Sequence, residues 1–389
     1  SCAYCYIRQH RKNHVARYQC SHTAQEIRKA LSKERLGGCC LLNICAGGET
    51  MLEPEILPIV RALLIEGHYV SIVTNGTVLK TMRPLLELPI ELSKRLFLKF
   101  SFHYDELKEK NLLDSFVKMV KKAREKKISV SVELPAFDPF LQEEKEIIEF
   151  SKEHFGVLPH VAALRDESKA GFSILSDYSF SELNARWGMW KSPLFEVRSE
   201  IMEKKYKGFC YAGEWTAAIN LENGEIKQCY YEPVIDNLYK NIDKPILWAP
   251  VGNQCHSEYC YACHAFLTLG DMPGLKLKYT YSDTRDRDGI WLEPDMKAFM
   301  SQRLWENNRQ YGWMRKRKID HKNKAAAQGE YEIPQQFAKN LIIQMKNEKE
   351  KNSYVLLEAR HRAKMMYQRV PKELMWIKHS YHGTSMRGG

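Results

Sequence analysis

From residue 39 to about residue 165, short apolar runs alternate with amphipathic stretches, and this alternation constrains the chain more than any other feature. Segments 39–45 (CCLLNIC), 69–74 (YVSIVT), 96–102 (LFLKFSF) and 128–134 (ISVSVEL) read as strands, with 157–164 (VLPHVAAL) as a further candidate. Helical periodicity fills 53–68, 111–126 and 142–154, and Pro54 sits near the start of the first. Asn75-Gly76 is a turn signal that closes the second strand. Strands separated by helices of this length imply right-handed βαβ units and a mainly parallel sheet. An open doubly wound sheet and a closed or partial barrel share the pattern, and periodicity leaves that choice open. In either case ligand chemistry gathers at the carboxyl ends of the strands.

The remaining sequence has a different texture. Beyond about Phe172 aromatics become frequent and five cysteines fall between Cys210 and Cys263. Residues 217–221 and 225–228 read as a hairpin around Asn223-Gly224. Beyond residue 279 the chain becomes helical and basic, with helix candidates at 295–308, 334–349 and 353–368. A run of Arg315, Lys316, Arg317 and Lys318, then Lys322 and Lys324, reads as an exposed linker.

At roughly 150 residues per domain, 389 residues suggest two or three domains. Hydrophobic residues at 44% and charged residues at 28% are globular values and exclude a wholly disordered chain. No apolar run approaches the ~20 residues of a membrane span. No signal peptide is visible, which predicts a cytoplasmic protein. The chain opens on Ser1 rather than Met and reads as starting partway through a longer gene product. Eleven cysteines, an odd count in a large unsignalled chain, point to a reducing compartment and to metal or cluster ligation. Of the net charge of +11, most falls from Asp271 onward, where 24 Lys/Arg face 14 Asp/Glu. Such a tail can contact nucleic acid or an acidic partner, and more often is a solvated surface.

Chemistry-bearing residues sit where a parallel sheet places its ligand. The chain begins Ser1-Cys2-Ala3-Tyr4-Cys5. One strand ends Cys45-Ala46-Gly47-Gly48-Glu49, the next Thr74-Asn75-Gly76, the next Ser101-Phe102-His103. Two glycines let backbone approach a ligand, and the adjacent carboxylate can take an ammonium group. On these motifs the sequence resembles the radical S-adenosylmethionine (radical SAM) superfamily over roughly residues 1–165. Cys2-Ala3-Tyr4-Cys5 matches the second half of the family's CxxxCxxC signature, with Tyr4 as the usual aromatic. Gly47-Gly48-Glu49 matches its GGE motif. The first cysteine of the signature would lie three residues before Ser1, and the first strand before that.

The resemblance implies an α/β fold, a partial (β/α)6 barrel lacking its first strand. It implies a catalytic [4Fe–4S] cluster with Cys2 and Cys5 as ligands. It also implies S-adenosylmethionine held by Gly47, Gly48 and Glu49 at its methionyl end, with help from Asn75 and Ser101. An electron donor would drive reductive cleavage to methionine and a 5′-deoxyadenosyl radical, which abstracts hydrogen from a substrate. The cofactors carry that chemistry; the protein orients them. No residue stands out as a general base.

The second cysteine group, Cys210, Cys229, Cys255, Cys260 and Cys263, resembles the SPASM or twitch extensions that hold auxiliary clusters. Five thiols suit one auxiliary [4Fe–4S] cluster with one to spare, and either Cys255 or Cys260 could be the spare. Enzymes with such extensions often act on peptides, proteins or other large substrates. A Cys-xx-Cys near His256 or His264 suits zinc as well. The alternative is therefore a non-catalytic zinc module with a basic nucleic-acid-binding tail, which leaves Gly47–Glu49 unexplained. The resulting organisation is a core over 1–200, an auxiliary-cluster domain (small, cysteine-rich, α+β) over 201–275, and a basic, mainly helical extension over 276–389. Cys39, Cys40 and Cys45 are expected to be small apolar residues of a buried strand; Cys20 has no assigned role. His103 and Glu133 each read equally as ligand contacts or as satisfied core groups. Trp187, Trp190 and Trp215 read as core packing rather than a substrate cavity.

Overall fold

The computed structural model describes residues 2–5, 9, 20–166, 173–202, 204–205, 208–230, 232, 234–246, 248, 250–252, 255, 259–260, 263–272, 274–275, 277–304, 313–314 and 317. Its centre is a five-stranded sheet of β1 (Leu41–Ile44), β2 (Tyr69–Thr74), β3 (Leu96–Ser101), β4 (Ser129–Pro135) and β5 (His160–Ala162). Every neighbouring pair is parallel and the spatial order is the chain order. A doubly wound sheet reverses direction once and carries helices on both faces. Here the winding never reverses, so right-handed crossovers stack their helices on one side, as in a barrel wall. The result is the α/β core expected from the strand–helix alternation.

Side-chain alternation sorts the two faces. Val70, Ile72, Leu98, Val130 and Val132 share one core with Ile59, Val60 and Leu63 of helix Ile56–Glu66 and with Phe116 and Val120 of helix Leu113–Glu125. Helix Ile56–Glu66 ends at Gly67, a left-handed residue with φ 99°. The opposite, inner face carries polar Ser71, Lys99, Ser129 and Ser131, all buried. Its apolar patch at Phe97, Leu41 and Tyr69 is covered by Tyr281, Leu292, Met296 and Met300. The covering segment also laces to β4, because the Val130 N–H donates to the Trp291 carbonyl at 2.9 Å and the Glu293 N–H to Ser129 Oγ at 3.0 Å.

One expectation fails here. Cys39, Cys40 and Cys45 are expected to be buried, yet Cys39 and Cys45 are exposed and Cys40 is half-buried. Trp187 and Trp190 are buried in the core with ring centroids 5.7 Å apart, while Trp215 stacks on Tyr211 at 3.7 Å. The first part of the candidate helix at 295–308 is realised as Pro294–Met300, and residues 305–308 lie outside the described residues. The candidates at 334–349 and 353–368 lie outside the described residues, as does the basic run at 315–324 apart from Arg317.

The β6 (Arg165–Asp166) and β7 (Ser173–Ile174) ribbon follows the core. The hairpin read around Gly224 is β8 (Ala218–Ile219) against β9 (Glu225–Lys227), with Gly224 at φ 75°. Its third strand, β10 (Val234–Asn237), was not legible, because a bulge between Val234 and Asp236 breaks the alternation. Buried Arg35 fastens this sheet to the N-terminal helices by donating to the carbonyls of Ala30 (2.6 Å), Leu238 (2.9 Å) and Lys244 (3.0 Å).

Two buried histidines make stability depend on pH. His160 lies between Ser192 Oγ (3.3 Å) and the Asp286 carbonyl (3.1 Å). Burial, then the nearby Arg287 and Arg285, holds its pKa well below the ordinary value. His68 accepts from the Cys40 N–H at 3.1 Å and donates to the Leu31 carbonyl at 2.8 Å, and burial lowers its pKa as well. Both are neutral when folded and take up a proton on unfolding below the ordinary histidine pKa of ~6.5. Their stabilisation is therefore complete above that pH and is lost as pH falls toward the folded values, by up to ~1.4 kcal/mol per pH unit for each. Urea unfolding at pH 7.5 and 5.5 should show lower stability at 5.5, and His160→Gln should shrink the difference by about one proton's share. A pH-independent midpoint over this window would contradict the burial of both rings.

Candidate functional site

The carboxyl edge of the sheet gathers the N-terminal cysteines and the strand-end motifs. The Cys5 N–H donates to the Cys2 carbonyl at 3.2 Å and closes a turn. Between the two thiols Tyr4 points inward, buried against Phe137 (ring centroids 4.6 Å). Its hydroxyl lies 2.8 Å from His103 Nδ1, which pins the cysteine turn to the residues following β3. His103 is thus a partnered group; burial lowers its pKa, opposed by Asp105 and Glu106. Burial likewise pushes the Cys2 thiol and the Tyr4 phenol up.

Glu49 is the knot between the ends of β1 and β2. Its Oε1 accepts from Thr74 Oγ1 at 2.6 Å and from the Met51 N–H at 3.0 Å, and its Oε2 accepts from the Asn75 N–H at 2.7 Å. A carboxylate has about four acceptor positions, so these three bonds leave room for one more donor. Gly48 adopts φ 155°, a conformation that favours glycine. Asn75 Oδ1 accepts from the Thr77 N–H (3.0 Å) and Oγ1 (2.6 Å), an Asx turn that shapes the loop after β2. Ser101 ends β3 half-buried and is paired in register with Glu133 of β4. Glu133 is a structural partner: it accepts from buried Arg285 in an ion pair.

The second cysteine group is only partly placed. Cys210 exchanges backbone hydrogen bonds with Gly252, and its thiol is raised well above its ordinary pKa by burial, then Asp271, with smaller contributions from Cys255 and Cys260. Cys255 and Cys260 therefore each lie within electrostatic reach of Cys210. Cys229 follows β9. Cys263 opens helix Cys263–Leu269, its side chain outside the described residues, as are His256 and the His264 side chain. Among the described residues no three His, Cys, Asp or Glu side chains stand close enough to hold a metal ion. Cys20 Sγ lies 3.5 Å from the Leu221 carbonyl, a structural contact.

Several groups here escape sequence reasoning. Asp271 is fully buried, its pKa raised to about 7 by burial, with the Thr216 hydroxyl donating to it. Arg285 is hidden in a charged run, TRDRD, that reads as surface. Lys99 did carry a signal: it is the one charge in LFLKFSF, at an inner-face position of a central strand.

The fold and this edge define an α/β domain whose strand-end motifs line the carboxyl ends of parallel strands. Residues 1–151 match the family model described as the radical SAM superfamily. Among solved structures the chain is similar to SuiB of Streptococcus suis bound to S-adenosylmethionine (16% identity, 59% of this chain and 60% of that one, TM-score 0.43). It is also similar to SuiB bound to the precursor peptide SuiA (17%, 62% and 61%, 0.44) and to native anSMEcpe with bound AdoMet (12%, 83% and 95%, 0.43). The chain thus spans about 60% of the length of SuiB. A search of the curated proteins gives no match. No helix among the described residues is long and apolar enough to cross a membrane.

Proposed function

We propose that the chain binds S-adenosylmethionine at the carboxyl edge of the sheet and acts as a radical SAM enzyme on a peptide or other large substrate. The observation that carries this reading is the Glu49 knot, a carboxylate fixed across two strand ends with an acceptor position left, beside a cysteine turn anchored on His103. A [4Fe–4S] cluster held there by Cys2 and Cys5 would supply the one electron, received from an external donor, that splits S-adenosylmethionine into methionine and a 5′-deoxyadenosyl radical. The donor set suits it: Cys2 and Cys5 are soft thiols on one turn and provide two of the three ligands such a cluster needs. Glu49 accepts the methionyl ammonium, Gly47 and Gly48 let the backbone approach it, and Asn75 and Ser101 line the neighbouring strand ends. Cys210, Cys229, Cys255, Cys260 and Cys263 are the thiols available for an auxiliary cluster; the influence of Cys255 and Cys260 on the Cys210 thiol supports that part of the reading.

The test is iron, acid-labile sulfide and 5′-deoxyadenosine formation after anaerobic reconstitution. On protein extended upstream of Ser1 to supply the third cysteine, about eight irons per chain are expected, falling to about four in a Cys2→Ala, Cys5→Ala variant that no longer forms 5′-deoxyadenosine. About one zinc without labile sulfide would replace this reading with the zinc-module alternative.

A further inference from the structure

Tyr4 serves two partners with one hydroxyl. Its oxygen lies 2.8 Å from His103 Nδ1, and the same hydroxyl is within hydrogen-bonding reach of the Cys2 thiol. The turn closed by the Cys5 N–H on the Cys2 carbonyl brings these side chains, two positions apart, together. The ring has little freedom to point elsewhere. Tyr4 is 5% exposed and packs on Phe137 and Phe140, which follow β4, with ring centroids 4.6 and 6.3 Å away. His103 is fixed in turn by its backbone. Its N–H donates to the Ser101 carbonyl at 3.2 Å, and its carbonyl accepts from the Leu107 N–H at 3.0 Å at the start of helix Tyr104–Glu109. The segments after β3 and β4 thus aim the hydroxyl together.

A phenol carries one hydrogen. While Cys2 is a free thiol, that hydrogen can go to His103 Nδ1. A cysteine that holds a metal group is a thiolate, an acceptor with no hydrogen of its own. The Tyr4 hydrogen then goes to sulfur, where the acceptor is charged and the bond stronger. The Tyr4 oxygen is left to accept, and His103 must present N–H at Nδ1. Ligation at Cys2 therefore selects the tautomer of His103.

We propose that Tyr4 is a positioning residue of the cluster site: aimed by His103, its hydroxyl donates a hydrogen bond to the Cys2 sulfur and makes the cluster easier to reduce. A reduced cluster carries one more negative charge, so a donor at its sulfur stabilises that state more than the oxidised one. The inference rests on the radical SAM reading, in which Cys2 is a cluster ligand. It gives the aromatic between the two cysteines a role that a phenylalanine there could not fill.

The experiment is a redox titration of the reconstituted chain, extended upstream of Ser1 to supply the third cysteine. It follows the paramagnetic-resonance signal of the reduced cluster that Cys2→Ala, Cys5→Ala abolishes. Tyr4→Phe should bind as much iron as wild type. At a fixed potential its ratio of reduced to oxidised cluster should fall about tenfold, a downward shift of about 59 mV for one electron. His103→Ala should show part of that shift, because the hydroxyl is no longer aimed. His103→Asn should restore the wild-type ratio, since an amide N–H stands in for Nδ1–H. A hydroxyl that only braces the turn predicts a lower urea-unfolding midpoint in Tyr4→Phe and an unchanged potential. That result would overturn the proposal, as would a potential that rises. Should Tyr4→Phe fail to hold iron, His103→Ala decides: a lowered potential there supports the proposal and an unchanged one overturns it. Wild type without labile sulfide, or a signal that survives loss of Cys2 and Cys5, would overturn the radical SAM reading and this inference with it. Unchanged potentials in a chain that does hold the cluster overturn the inference alone.

Discussion

Glu49→Gln should weaken S-adenosylmethionine binding by about one to two powers of ten and destabilise the chain as well. A hydrogen bond to a charged group contributes about 1.5–3 kcal/mol, and 1.4 kcal/mol is tenfold in affinity. The structure shows why stability moves too. The glutamate takes its three bonds on two oxygens, from Thr74 Oγ1, the Met51 N–H and the Asn75 N–H. A glutamine keeps one acceptor oxygen. Its amide nitrogen must face either the Asn75 N–H or the Thr74 and Met51 donors, and one side is left unsatisfied. Stranding such a group costs about 1–3 kcal/mol, toward the lower end here because Asn75 is half-buried. Glu49→Asp keeps the charge but is one methylene shorter and cannot reach both strand ends, so it should recover part of the affinity and little of the stability. Calorimetric titration on reconstituted protein and urea unfolding of the same variants separate the two effects. Binding within threefold of wild type in Glu49→Gln would remove the ammonium from this carboxylate. An unchanged unfolding midpoint would remove the knot.

Much of this was readable before any coordinates. The run YVSIVT became β2 with the same limits, and LFLKFSF and ISVSVEL became β3 and β4 within a residue or two. The local pattern is enough there, because these strands lie between a helix layer on one face and the 281–300 segment on the other. The placement of Gly47–Glu49, Asn75 and Ser101 at one edge follows from parallel order alone. What could not be read is long-range. No local pattern says that residues 281–300 return to cover Phe97, or that Arg285 comes to rest on Glu133 across 152 positions of sequence. Nor does it say that Cys45, read as a small core residue, is exposed instead. Lys99 lies between these cases. Its position on the inner face was implied by the alternation, but that no carboxylate among the described residues pairs with it depends on Glu133 having been claimed by a distant arginine.

Gly76→Ala should destabilise the domain by about 2–5 kcal/mol, among the largest effects of any single methyl group in this chain. Two costs add. Gly76 has φ 70°, and a left-handed conformation costs an L-residue roughly 1–2 kcal/mol. A Cβ there would also stand 3.0 Å from Phe100 Cδ1, 3.2 Å from Phe100 Cε1 and 3.2 Å from Phe116 Cδ2. Neither ring can retreat easily. Phe100 lies in β3 and Phe116 in helix Leu113–Glu125, both are fully buried, and their centroids meet edge-on at 5.7 Å. Forcing a methyl group into such packing costs about 1–3 kcal/mol more. Gly37 is the control, with a similar φ of 87° and nothing within 4 Å of its Cβ. Gly37→Ala should therefore show the conformational cost alone, about 1–2 kcal/mol. Equal unfolding free energies for the two variants would mean that the rings yield and that the β2 turn is not held against the core. A larger loss at Gly76, accompanied by weaker S-adenosylmethionine binding, would mean that the turn carrying Asn75 is positioned by the aromatic core beneath it. The same sheet that buries Phe100 would then set the geometry of the strand ends above it.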